Sequence, residues 1–228
     1  MNRLSRGIVR ISCAAFLLAA AVASAAASDF VDLRRIDALK ADANAGKEKA
    51  SVCSACHGAN GISPAPMFPN LAGQRAEYLY WQLAEFKREA RPDSPMTSQV
   101  ANLDDATLRD LAAWFASLPP ASPSAAHATG SERGGTIYRD GDASKGIPPC
   151  QGCHGVNGEG HAWAADDARY RTYPILRAQH ADYVAQRLKD FRDGKHLTSS
   201  TDRIMSPIAQ TLDDEAIRAV ASWIETGP

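Results

Sequence analysis

Two five-residue stretches constrain this chain more than anything else in it: CSACH at residues 53–57 and CQGCH at residues 150–154. Each sets two cysteines three positions apart and presses a histidine against the second. A zinc ribbon also uses paired CxxC units, but its pairs stand some 15–20 residues apart. Here 93 residues separate them. A thioredoxin-like dithiol expects a βαβ setting, and no alternating strand pattern accompanies either pair. A disulfide within CxxC would leave His57 and His154 unexplained. On one helical turn both sulfurs face the same side and can form thioethers to the two vinyl groups of a porphyrin, while the next residue aims its imidazole at the iron. The reading is c-type haem attachment, twice.

The N-terminus reads as a segment to be removed. Arg3, Arg6 and Arg10 precede the apolar run CAAFLLAAAVA, and SAAAS offers small-residue cleavage sites. That is the form of a secretory signal peptide over residues 1–27, and the apolar run is too short to span a bilayer. Cleavage removes Cys13, so Cys53, Cys56, Cys150 and Cys153 become the whole cysteine complement. It also leaves 22 basic against 26 acidic residues, a formal charge of −4. No basic patch suggests a nucleic-acid partner. No later segment is long and apolar enough to cross a membrane.

The chain repeats. FPNLAGQRAEYLYWQLAEF (68–86) aligns with YPILRAQHADYVAQRLKDF (173–191), and MTSQVANLDDATLRDLAAWF (96–115) with MSPIAQTLDDEAIRAVASWI (205–224). The offset grows from 97 at the cysteines to 105 and then 109. The second copy therefore carries eight extra residues after its cysteine pair and four more before its methionine. Between the copies, PPASPSAAHATG (119–130) has linker composition. Two domains are expected, 28–118 and 131–228, joined at 119–130.

Both copies read as all-α. Leu79, Leu83, Phe86 and Ala90 share a helical face, as do Leu108, Leu111, Ala112, Phe115 and Leu118, and as do Ile217, Val220, Ala221 and Ile224. Asp104 and Asp213 stand at expected N-caps. Trp114 and Trp223 are expected in the cores. So few helices bury a small core, which a large flat cofactor would complete.

Candidate iron ligands follow from the repeat. His57 and His154 are the proximal pair. Met96 has a counterpart in Met205, whereas Met67 has none and lies only ten residues past His57. Met96 and Met205 are therefore the expected distal ligands, with a histidine as the alternative in the second copy. There His161 lies in the insertion, His180 matches Arg75 and is expected at the surface, and His196 completes the set. His127 falls in the linker. A ligating histidine usually donates its other ring N–H to a carbonyl, and Pro69 and Pro174 stand in position to supply one. Neither copy shows a base, nucleophile and oxyanion-donor set, so no independent catalytic site is expected.

The order CxxCHG, FPNLAGQ with Tyr and QL, a methionine loop and an LDD helix resembles the periplasmic di-haem cytochrome c4 family. The resemblance spans nearly all of the chain after residue 27. It implies two class I cytochrome c folds packed face to face, two covalently bound haem c groups, and electron transfer, often toward a haem-copper terminal oxidase. The second copy departs from the pattern, reading RAQ where the family has AGQ and inserting HAWAADDARYRT. No role for the 161–172 insertion follows from the residues. Three readings stand open: a periplasmic electron carrier with redox protein partners, the cytochrome subunit of a dehydrogenase complex, and a di-haem peroxidase-like enzyme.

Overall fold

The computed structural model describes residues 30–124, 131–195 and 197–227. The expected signal peptide, His127, His196 and the second half of the expected linker lie outside them. Ten α-helices occur among the described residues: α1 (Ala43–Lys49), α2 (Ser54–His57), α3 (Ala76–Lys87), α4 (Pro95–Val100), α5 (Asp105–Ser117), α6 (Ser131–Asp140), α7 (Gln151–His154), α8 (Ala181–Arg192), α9 (Ser200–Gln210) and α10 (Asp214–Thr226). Among these residues there is no strand, only isolated bridges at Val31–Ser199 and Asp142–Ile147. The all-α expectation is met.

The first five helices and the last five follow one plan. In each set the first and last helices cross, and the third packs on the last: α1 and α3 on α5, α6 and α8 on α10. A glycine makes each crossing possible. A Cβ on Gly46 would lie 2.0 Å from the Asp110 carbonyl oxygen and 2.9 Å from Trp114 Cβ. A Cβ on Gly134 would lie 1.9 Å from the Ala219 carbonyl oxygen and 3.0 Å from Trp223 Cβ. The two glycines do not share the repeat's offset. Gly46 stands seven residues before Cys53, and Gly134 sixteen before Cys150.

Asp104 and Asp213 cap α5 and α10 as expected, accepting from the Thr107 and Ala216 amides at 2.8 Å each. Leu108, Leu111, Ala112 and Phe115 are buried on α5, and Ile217, Val220, Ala221 and Ile224 on α10. Trp223 is in the core, its ring 4.4 Å from that of Tyr138. Trp114 is only half-buried.

Residues ahead of α1 serve the other half of the chain. Val31 exchanges backbone hydrogen bonds with Thr198 and Ser200. The Leu33 amide donates to Ser200 Oγ at 3.0 Å, and Leu33 is 1% exposed. Arg171 donates to the Ile36 carbonyl at 2.8 Å. The chain thus begins its described course by fastening to the start of α9. The first half of the connection between the copies is docked as well: the Ser124 amide donates to the Glu225 carbonyl at 2.9 Å.

Candidate haem sites

Each CxxCH stretch folds as the single turn its spacing demands. Backbone bonds run from the His57 amide to the Cys53 carbonyl and from the His154 amide to the Cys150 carbonyl, 3.0 Å each. That turn brings the cysteines of each pair to one side. Gly58 and Gly155 end the turns at φ 78° and 85°. Here a Cβ would meet the Ile62 carbonyl oxygen at 2.0 Å, and the Gly160 carbonyl oxygen at 2.6 Å. All four thiols are free of disulfides. Burial pushes Cys53 and Cys153 up, and Cys150 to about 11.

The imidazoles turn inward. His57 is 5% exposed and His154 7%. Nδ1 of His57 lies 2.9 Å from the Pro69 carbonyl oxygen, and Nδ1 of His154 lies 3.1 Å from that of Pro174. Both are the carbonyls expected from the sequence. With Nδ1 donating there, Nε2 carries a free lone pair. Burial holds both rings below the ordinary imidazole value, opposed by these carbonyl bonds. A buried, neutral, oriented imidazole is what a metal requires of histidine.

Met96 occupies the first turn of α4 and packs against the cluster of Phe86, Val100 and Leu108. Met205 lies inside α9. Both are half-buried, while Met67 is 69% exposed. In the second copy His161 is engaged within the insertion. Its ring stacks on Tyr170 at 3.6 Å, and Nδ1 accepts from the Trp163 amide at 3.2 Å. His180 corrects the surface expectation. Its Nδ1 lies 3.2 Å from Glu225 Oε1 and its Nε2 3.0 Å from the Ser63 carbonyl, so the ring bridges the two halves. Arg75, its counterpart, does the reciprocal work, donating to the carbonyls of Tyr173 at 3.1 Å and His161 at 2.9 Å.

The interface between the halves contains buried polar groups. The Tyr78 hydroxyl is held above the ordinary phenol range by burial and then by nearby Tyr183, its repeat counterpart. Two guanidinium groups flank them. Arg91 lies over the Phe86 ring at 4.4 Å, and Arg187 over the matching Phe191 ring at 4.8 Å. They come from different places in the repeat, since the counterpart of Arg187 is Gln82, which accepts from Arg91 at 2.8 Å.

The residues present fit a haem with its propionates. Trp81 Nε1 and Arg91 Nε are buried donors without a protein acceptor. Buried donors of this kind are rare and costly unless something accepts from them. Carboxylates on a porphyrin edge would supply both charge and lone pairs.

The comparisons with known proteins agree. The profile of the cytochrome c family matches residues 43–119 and again 131–228. Cytochrome c4 of Azotobacter vinelandii is 43% identical over 193 residues, covering 81% of this chain and 88% of that protein. The thiosulfate dehydrogenase electron acceptor of Thiomonas intermedia is 32% identical over 183 residues, covering 79% and 80%. The crystal structure of reduced recombinant cytochrome c4 from Pseudomonas stutzeri superposes with a TM-score of 0.71 at 37% identity, covering 82% of this chain and 98% of that one. The chain belongs to the cytochrome c family and, within it, to the cytochromes c4: an electron-transfer protein with two covalently bound haem c groups.

Proposed function

We propose that this protein is a periplasmic carrier that accepts electrons singly from a redox partner and delivers them to a respiratory acceptor, with a terminal oxidase as the acceptor. In this reading Cys53 and Cys56 anchor one haem and Cys150 and Cys153 the other. His57 and Met96 ligate the first iron, His154 and Met205 the second. The domains are 28–118 and 131–228. The observation that carries the reading is the duplicated pair of buried imidazoles, each braced by a proline carbonyl at 2.9 and 3.1 Å. A haem held between histidine and methionine is closed to substrates and open to electrons, and soft, neutral methionine favours Fe(II). The chain's own residues hold the imidazoles neutral, fix their rotation and exclude water from their faces.

A potentiometric titration of the holoprotein, followed by its visible spectrum, tests this. Two one-electron steps at high potential support methionine on each iron. One high and one much lower step means that Met205 does not ligate, and favours the peroxidase-like alternative.

The second reading is the electron-accepting partner of a dehydrogenase. The name of the Thiomonas intermedia relative supports it. Rapid reduction of the holoprotein by a thiosulfate dehydrogenase turning over thiosulfate would favour it over delivery to an oxidase from other donors.

A further inference from the structure

The peptide group that braces each histidine is held on its far side by the opposite half of the protein. The Pro69 carbonyl faces His57 Nδ1 at 2.9 Å. The N–H of that same peptide belongs to Asn70, and it donates to Gln179 Oε1 at 2.8 Å. The Gln179 amide closes the grip, Nε2 donating to the Asn70 carbonyl at 3.0 Å. The second site repeats every element with the halves exchanged. The Pro174 carbonyl faces His154 Nδ1 at 3.1 Å, and the N–H of that peptide, on Ile175, donates to Gln74 Oε1 at 2.9 Å. Gln74 Nε2 donates back to the Ile175 carbonyl at 2.8 Å. Both glutamines are 7% exposed. They are counterparts in the repeat, and so are the residues they grip.

A peptide whose N–H donates becomes a better acceptor at its carbonyl, because the two bonds polarise one another. A stronger acceptor at Nδ1 gives the imidazole more anionic character and raises its basicity toward a metal. Greater donation to iron favours Fe(III). The amide-to-backbone pair also fixes the tilt of the peptide, and with it the direction of the carbonyl. The chain of bonds runs from glutamine through one peptide group to histidine, and it crosses the domain interface each time.

We propose that Gln74 and Gln179 are positioning residues for electron transfer, each setting the redox equilibrium of the haem in the other domain. This rests on His57 and His154 as iron ligands. It gives the interface a role beyond adhesion: opening it would loosen both grips and favour Fe(II) at both sites.

The test uses the full-length holoprotein with Gln179→Met and, separately, Gln74→Met, which keep side-chain length and remove both polar atoms. Potentials are followed by haem-methyl NMR resonances, so that each step is assigned to its domain. Gln179→Met is expected to shift the first-domain haem toward Fe(II) by roughly two- to fourfold in its redox equilibrium constant, from partial loss of bond cooperativity. Gln74→Met should do the same to the second-domain haem. Each should leave its own domain's haem in place. A shift in the same domain, equal shifts in both, or no shift overturns the proposal. In the reduced protein the histidine Nδ1–H resonance of the opposite domain should also move upfield. Haem ring-current shifts on the carbon-bound ring protons of two histidines in the unaltered protein establish histidine ligation independently. Their absence would defeat the ligand reading, whereas their presence without crossed movement defeats only the present inference. Should either variant fail to assemble, hydrogen exchange in the unaltered protein decides. The Asn70 and Ile175 amides should exchange as slowly as amides inside α5 and α10, and fast exchange overturns the continuous chain of bonds.

Discussion

Ala178 holds in the second domain the left-handed backbone conformation that Gly73 holds in the first, φ 58° against 70°. The two amides do the same work, Gly73 donating to the Phe115 carbonyl at 3.0 Å and Ala178 to that of Ile224 at 2.9 Å. An alanine there is strained by roughly 1–2 kcal/mol relative to the right-handed region. Ala178→Gly is therefore expected to stabilise the second domain by about 1 kcal/mol after the added freedom of the unfolded chain is subtracted. Denaturant unfolding followed in that domain checks the sign. Gly73→Ala should be the harsher change, because its Cβ would lie 2.7 Å from Pro120 Cβ and 2.9 Å from Pro120 Cα.

The helix crossings tolerate no side chain. Gly134→Ala drives a methyl into the Ala219 carbonyl, and overpacking of this kind typically costs about 1–3 kcal/mol. The expected result is a lower unfolding midpoint for the second domain with the first unchanged, read by denaturation with a separate probe in each.

Met96→Ala and Met205→Ala should each open one iron. Carbon monoxide is expected to bind one haem per chain in either single variant and two in the double variant. Unchanged carbon monoxide binding in Met205→Ala would show that another group ligates the second iron.

Glu85 sits 1% exposed on α3, accepting from Thr198 of the second half and from Arg88. Burial and then Asp202 raise its pKa, against the pull of those two donors. A carboxyl whose folded pKa is raised binds its proton more tightly when folded. Its stabilising contribution is complete below the ordinary carboxylate value of about 4.3 and is lost as pH rises through the folded value. Glu85→Gln should flatten the thermal stability of the protein across that window and leave the variant at least as stable at neutral pH. A slope unchanged by the substitution would assign the dependence to other groups.

Much of the frame around the candidate site was legible because it is local. The CxxCH turns and the aspartate caps follow from spacing within one segment, and the proline carbonyls, twelve residues past His57 and twenty past His154, follow once the insertion is discounted. What lay between segments was not. Gln74 and Gln179 could be matched to each other, but their partners are backbone groups of the other copy, which carry no side-chain signal. His180 read as exposed because its match is an arginine. Yet both positions face the seam between domains, where a long cation and an imidazole can each reach a carbonyl. The equivalence of α1 and α6 escaped because nine extra residues in the second copy break the offset there, and the glycine at the crossing is the only shared mark. The departure from AGQ to RAQ was visible, and only the backbone angle shows that it carries strain.

The fastening of residues 30–36 to the start of α9 makes the first domain embrace the second from two directions, by its leading end and by the connection after α5. A protease that severs the peptide chain beyond Ser124 would cut one tether of two. The leading segment and the seam would keep the fragments at high effective concentration, so the nicked protein would still travel as one particle, with its two redox centres at their original separation.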